Sequence, residues 1–278
     1  MKIIADSGAT KTDWCLINGL GEVKTVQTIG LNPYFLDEDG ILNVLEKDLH
    51  PFLDSTKVEH VFFYGSGCTA PRKKQVMQST LDTFFRQAGV EIESDLLGAA
   101  RALYGKEKGL VCILGTGASS CLYDGEQIAE RVNSLGYILG DEGGGSSLGK
   151  QLLAAYFRNE LPEHLHNLFA QKYPAELSRV LDAIYREPAP NRFLASFVEF
   201  LDENKSDSFV KEFVSSAFDT FFRKQILRYD SYDIYPLCFI GSVGFIFADE
   251  LHKSAEKHEL TISKIEQTPL DGLLKFHK

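Results

Sequence analysis

No apolar run in this 278-residue sequence reaches the roughly 20 residues that a membrane-spanning helix needs. The start does not read as an export signal either, because Asp6 interrupts the apolar stretch Ile3-Ile4-Ala5 at once. Positive charge is in short supply: 29 Lys and Arg face 39 Asp and Glu, a net charge of −10. That deficit argues against nucleic acid or an anionic membrane as partner. It leaves a nucleotide substrate open, since a divalent cation at a local site overrides the overall sign. Cysteine is scattered: Cys15, Cys68, Cys112, Cys121 and Cys238 include no C-x-x-C pair, and four lie in apolar, strand-like runs. Reduced, mostly buried thiols in a cytoplasmic protein are the expectation. His164 and His166 stand two apart on a helical pattern and so point apart, which suits surface positions rather than a metal site. No G-x-x-x-x-G-K-S/T phosphate loop occurs. Gly115-Thr116-Gly117 begins like a dinucleotide fingerprint, but a strand follows it where that fingerprint demands a helix.

What is present is ordinary for a soluble globular chain, with 44% hydrophobic and 24% charged residues, and long enough for two lobes with real cores. The most informative stretch is Asp6-Ser7-Gly8-Ala9-Thr10-Lys11-Thr12-Asp13, between apolar strands at 2–5 and 14–18. Gly8 permits a close backbone approach or a positive φ. Hydroxyls of Ser7, Thr10 and Thr12 and free loop N–H groups suit an anion, and Asp6 becomes useful if a divalent cation accompanies it. A plain hairpin turn would look similar.

A third strand is expected at 22–29, then a helix at 39–53, where Ile41, Leu42, Leu45, Leu49, Phe52 and Leu53 fall at helical spacing. Strands follow at 61–64 and 90–93, with a helix between them running from Pro71 to the stop at Gly89. Ser94 or Asp95 caps a helix at 96–104. A Gly-bounded polar stretch at 105–109 marks a lobe boundary. The opening pattern then recurs about a hundred residues on: a strand at 110–114, the loop Gly115-Thr116-Gly117-Ala118-Ser119-Ser120, a strand at 121–123, the turn Asp124-Gly125, and a strand at 127–132. Two matches in one context suggest two similar lobes, each offering a phosphate-binding hairpin to a shared cleft.

Gly136 to Ser147 brings Asp141-Glu142 and three further glycines in front of a helix at 148–157, a setting that admits anions or serves as a flexible loop with a Ser cap. From 162 to 229 the pattern is amphipathic helix, and its Phe stripes (193, 197, 200; 209, 213, 221, 222) read as core. A strand at 236–240 ends in Gly241-Ser242, which is either a connector or a place where a flat ring rests on backbone. A helix at 245–257, a strand at 260–265 and a last helix within 270–278, packing back on the first lobe, complete the chain.

These residues resemble the phosphate loops of the sugar kinase, actin and heat-shock ATPase superfamily, and residues 2–266 look like its N-acetylglucosamine kinase branch. That branch is shared with the activator ATPases of benzoyl-CoA reductase and hydroxyacyl-CoA dehydratase. The resemblance implies an α/β fold of two ribonuclease H-like lobes, duplicated βββαβα-type units around a nucleotide cleft, at 1–108 and 109–278, with a helical insertion in the second. It implies ATP and Mg²⁺ as cofactors, an amino sugar as partner, and room for a homodimer. Gly8, Thr10, Lys11 and Thr12 would hold phosphate from the first lobe, and Thr116 and Gly117 from the second. Gly241 and Ser242 would lie against the adenosine, and Asp6 would hold Mg²⁺ through water. Asp95 matches the catalytic aspartate. Asn32, Ser66, Gly136 and Asp141 match sugar-binding positions. Ser94 and Leu135 depart from the Asn and the aromatic that the family often has there. The implied activity is ATP-dependent phosphorylation of N-acetylglucosamine to its 6-phosphate. The alternatives are an activator-type ATPase coupled to electron transfer and an ATP-binding sensor without catalysis.

Overall fold

The computed structural model describes residues 1–174 and 176–278. Two compact units make up the chain: Met1–Glu107 with Tyr123–Ile128 and Thr268–Lys278, and Lys108–Leu122 with Ala129–Gln267. Each is built on one five-stranded sheet.

In the first unit the strands are β1 (Lys2–Ser7), β2 (Lys11–Ile17), β3 (Val23–Ile29), β4 (His60–Gly65) and β5 (Gly89–Ser94), in the order β3-β2-β1-β4-β5. β1 to β3 form an antiparallel meander, and β4 and β5 add parallel to β1. In the second unit they are β6 (Gly109–Leu114), β7 (Ala118–Tyr123), β8 (Ile128–Arg131), β9 (Leu237–Ile240) and β10 (Ile262–Glu266), in the order β10-β9-β6-β7-β8. Read from the other edge, this is the first sheet again: a meander of three, then two parallel strands on the far side of the first. The repeat read from the loops is thus a repeat of topology.

Strand alternation divides the first sheet between two cores. Ile3, Ala5, Trp14, Leu16 and Phe63 face one way and pack with Ile41, Leu45, Met77 and Leu81. The buried indole of Trp14 donates to Thr28 Oγ1 at 3.0 Å, so its one polar atom is satisfied. Ile4, Cys15 and Tyr64 face the other way and are covered by Leu273 of the last helix, Leu270–Phe276. The helix expected at 39–53 is present as one helical run of changing geometry: Glu38–Val44 is α-helical, Leu45–Leu49 continues in the wider π form, and His50–Phe52 closes it in a 3₁₀ turn. Pro51, which lacks an N–H, sits in that last turn, and the chain becomes extended at Leu53.

In the second unit the Phe stripes are core. Phe197, Phe200, Phe218, Phe221, Phe222 and Phe239 are all buried, and Phe193, Phe209 and Phe213 pack at the margin. Each fully buried ring contributes roughly 1.5–3 kcal/mol by the transfer measure. All five cysteines are buried and unbridged. Among the described residues no helix is long and apolar enough to cross a membrane.

Candidate functional site

The parallel strands of the first sheet end together. Ser7, Gly65 and Ser94 are register partners at the carboxyl ends of β1, β4 and β5. The residues just before or after them, Asp6, Ser66 and Asp95, therefore share one edge. The carboxyl edge is where open α/β sheets bind ligands, because loops and helix starts converge there.

Asp95 opens the helix Asp95–Tyr104, and its Oδ1 accepts from Leu96 N at 2.9 Å. The cap itself is Ser94, whose Oγ accepts from Leu97 N at 3.2 Å. Asp6 pairs across the ladder with Asp13, and both side chains leave the same face. Asp13 is compensated: Lys11 Nζ reaches its Oδ2 at 2.9 Å and Gln27 Nε2 donates to its Oδ1 at 2.7 Å. Asp6 has less help. Its side chain keeps partial solvent contact, yet burial first, then the charges of Asp95 and Asp13, push its pKa up to about 7 against the pull of Lys11. This edge holds an excess of negative charge, a setting that favours a cation.

The hairpin between β1 and β2 closes with Gly8 N donating to Lys11 O at 2.9 Å. Gly8 has a negative φ, so openness rather than handedness is what it supplies. Thr10 is exposed at the tip. Thr12 is placed differently from the expectation that it faces phosphate. It is fully buried on the opposite face from Asp13, its hydroxyl bonded to Ser7 Oγ at 2.8 Å and donating to Ile29 O at 3.1 Å. Ser7, read as another ligand donor, is buried with it and receives Leu31 N at 3.0 Å. These two hydroxyls pin the loop from behind. Gly30, missed as a site residue, completes that support: it donates to Thr10 O at 3.0 Å, and a Cβ there would meet Gly8 O at 2.3 Å.

Asn32 and Ser66 do come together. Asn32 is buried, and its Nδ2 donates to Ser66 Oγ at 3.2 Å while Ser66 N donates to Ser7 O at 2.8 Å.

In the second unit three segments meet backbone to backbone. The loop Gly115-Thr116-Gly117 follows β6. Gly145 N donates to Gly115 O and Ser146 N to Thr116 O, each at 2.8 Å, from the start of the helix Gly145–Phe157. In a trans peptide the C=O and the following N–H point oppositely. Drawing the two carbonyls onto the helix therefore turns the N–H groups of Thr116 and Gly117 the other way. The helix N-terminus is thus occupied by the loop rather than open to an anion, which corrects the reading of the 141–147 segment as an anion site or a Ser-capped loop; the cap is Gly144. Asp141 sits in left-handed backbone at φ 59°, its Oδ1 accepting from Ala118 N at 3.2 Å. Burial raises its pKa, the Ala118 N–H opposes that, Glu142 adds to the rise and Lys150 opposes it. Gly241, at φ 125°, lies against Leu114 O and Gly115 N, and exposed Ser242 begins the short helix Ser242–Ile246. Gly136 heads the turn Gly136–Leu139, where Leu135, Ile138 and Leu139 are exposed, and its carbonyl accepts from Gly140 N at 2.8 Å.

Gly144 is a tight point of the clasp: a Cβ there would fall 2.6 Å from the backbone carbon of Gly117. Gly144→Ala is expected to lower the melting temperature by about 2–8 °C, the effect of roughly 1–2 kcal/mol of overpacking in a chain of this size. Gly19→Ala, where nothing lies within 4 Å, is the control and should stay within a degree or so of wild type. Equal melting temperatures by calorimetry would remove the clasp.

No protein-family model and no curated protein sequence matches the chain. Solved structures do. A candidate N-acetylglucosamine kinase from Porphyromonas gingivalis is 40% identical with a TM-score of 0.93, over 100% of this chain and 98% of its own. A second candidate N-acetylglucosamine kinase, from Chromobacterium violaceum, is 17% identical with a TM-score of 0.72, over 100% of this chain and 98% of its own. A ROK family glucokinase from Streptomyces griseus, solved with glucose and AMPPNP, is 14% identical with a TM-score of 0.56, over 99% of this chain and 97% of its own. The last two likenesses are of fold alone.

Proposed function

Because the chain belongs to the N-acetylglucosamine kinase-like family of the sugar kinase, actin and heat-shock ATPase superfamily, we propose that it transfers the γ-phosphoryl group of ATP to a sugar hydroxyl. N-acetylglucosamine, phosphorylated at its 6-hydroxyl, is the acceptor the reading favours. The observation that carries this is the edge shared by Asp6, Ser66 and Asp95, with its unbalanced negative charge, on a sheet whose topology the second unit repeats.

Phosphoryl transfer asks for positioning and charge neutralisation more than for covalent chemistry. Asp95 is the proposed base. As the sugar oxygen bonds to the γ-phosphorus, the bridging P–O bond breaks toward ADP and the hydroxyl proton passes to Asp95. It stands in the first turn of a helix, where the Leu96 N–H fixes one of its oxygens. Gly8, Thr10 and Lys11 are the proposed phosphate contacts of the first unit, with Thr12 holding them from behind. Thr116 and Gly117 are those of the second, and Gly241 and Ser242 are assigned to the adenosine. Asn32, Ser66, Gly136 and Asp141 remain the sugar-contact candidates.

Mg²⁺ fits the residues present. Among the described residues no set of three or more His, Cys, Asp or Glu side chains is arranged to ligate a metal. Mg²⁺ does not need one, since it keeps most of its waters and is held by one or two carboxylates plus substrate phosphates. Asp6, short of compensating charge, is the carboxylate for it. The ion would offset the charge of the phosphate chain.

An activator ATPase whose iron–sulfur cluster is held by cysteines of two subunits is disfavoured, because all five thiols are buried and four lie within β2, β6, β7 and β9. The test is ADP release against a panel of hexoses and amino sugars, with a no-sugar control and a chelator arm. Sugar-dependent, Mg²⁺-dependent release is expected, highest with N-acetylglucosamine. Sugar-independent hydrolysis by an iron-containing protein would overturn the reading.

A further inference from the structure

We propose that Tyr34 is the residue that receives the apolar face of the acceptor and ranks one amino sugar above another; the inference rests on the sugar-kinase reading above. Tyr34 is 59% exposed and its neighbour Phe35 is 42% exposed, two residues beyond buried Asn32. An aromatic side chain so exposed ordinarily exchanges rotamers in water. This one has a fixed backbone, a cation over its ring and a close neighbour at its edge. Its backbone N–H donates to Asn32 Oδ1 at 2.9 Å. Lys73 Nζ stands 4.8 Å from its ring centroid and donates to Pro33 O at 2.5 Å, so the ammonium is moored to the same loop that it covers. Gly67, at φ 83°, lies beside the ring edge: a Cβ there would be 3.1 Å from Tyr34 Cδ2 and 2.6 Å from Asn32 Oδ1.

The arrangement is a fixed ring with open surface beside a fixed amide. The Asn32 amide is fixed because its oxygen takes the Tyr34 N–H and its nitrogen donates to Ser66 Oγ. The ring is not part of the core that Leu31 and Leu36 join. An amino sugar has the matching chemistry. Its hydroxyls and amide seek donors and acceptors along an edge, while its ring C–H face, or the methyl of an acyl group, seeks flat apolar surface. Tyr supplies that surface rigidly, with only two torsions to freeze.

Three variants test this: Tyr34→Ala, Tyr34→Phe and Lys73→Met. For each, the KM of the sugar, the KM of ATP, and the ratio of kcat/KM between N-acetylglucosamine and glucosamine are measured. Tyr34→Ala is expected to raise the sugar KM about tenfold and to change the acceptor ratio, with the ATP KM within about twofold of wild type. Tyr34→Phe recovers most of the effect, since the ring rather than the hydroxyl makes the contact. Lys73→Met, which keeps the ring but unmoors it, falls between them. A sugar KM and acceptor ratio within twofold of wild type in Tyr34→Ala overturn the inference, and so does an ATP KM that rises as much as the sugar KM. If Tyr34→Ala fails to fold, Lys73→Met decides, and an unchanged sugar KM there overturns it. Wild-type protein that phosphorylates no sugar sinks the functional reading and this inference with it; an active wild type with an indifferent Tyr34 sinks this inference alone.

Discussion

Asp95→Asn is expected to lower turnover by about 10²–10⁴-fold, the usual worth of a positioned general base, while ATP and sugar still bind. The substitution is a clean one. Asn has the same shape, and its amide oxygen still accepts from Leu96 N, as Asp95 Oδ1 does at 2.9 Å. The cap is untouched, because Ser94 rather than Asp95 supplies it. What the variant loses in stability is the interaction of a carboxylate with the helix start, about 0.3–1 kcal/mol. It regains something too, since the Asp95 charge is one of those raising the pKa of Asp6. A melting temperature near that of wild type with a collapsed kcat thus separates chemistry from folding. Steady-state ADP release gives kcat and both KM values, and calorimetric titration gives ATP affinity. Retained turnover would take Asp95 out of the reaction and leave it as an acidic residue at a helix start.

What could be read from the residues, and what could not, divides along a physical line. The repeat was legible because each half is local: strand, Gly-Thr loop, strand, turn, strand lies within about thirty residues. Its topological consequence, the shared strand order of the two sheets, followed from that local pattern. The helix cap at Ser94 was narrowed to two residues by local chemistry, and the backbone chose the one that precedes the helix. Thr12 was misplaced although the information was present. Side chains alternate along a strand, so if Asp13 leaves one face with Asp6, Thr12 must leave the other with Ser7. The helix expected at 39–53 was legible because its apolar spacing is local, and the helical run 38–52 matches it within a residue at each end. The clasp on the second loop was not legible at all. Whether the N–H groups of Gly145 and Ser146 meet an anion or the carbonyls of Gly115 and Thr116 depends on contacts thirty residues apart. Local composition is the same in both cases. A last helix packing back on the first lobe could be offered from the residues, but which positions it covers, Ile4 and Cys15 under Leu273, spans nearly the whole chain and is outside the reach of any window.

Asp6→Asn is expected to abolish most activity and yet to make the protein more stable at alkaline pH. Folding raises this carboxyl from an ordinary 3.8 to about 7. A raised carboxylate pKa means that the folded state holds the proton more tightly than the unfolded state. Stability therefore falls as pH rises from about 4 to about 7, then levels off above that. The full linkage value is an upper bound of about 4 kcal/mol at pH 8. The side chain keeps partial solvent contact and Lys11 lies close, so a gain on the order of 1–2 kcal/mol on neutralisation is the working figure. In a chain of this size that is a rise in melting temperature of about 2–8 °C at pH 8, shrinking toward zero as pH falls to 4–5. A second measurement ties the effect to function. Mg²⁺ with ATP should stabilise wild type by mass action and do much less for Asp6→Asn. If the variant is no more stable at pH 8 than at pH 5 relative to wild type, the carboxylate is not under the strain described, and its assignment to the cation loses its basis. The sign of the effect is what discriminates. A carboxylate kept for the fold would be missed when removed, whereas the proposed cation-holding role expects one that opposes the fold at alkaline pH and is relieved when Mg²⁺ and ATP bind.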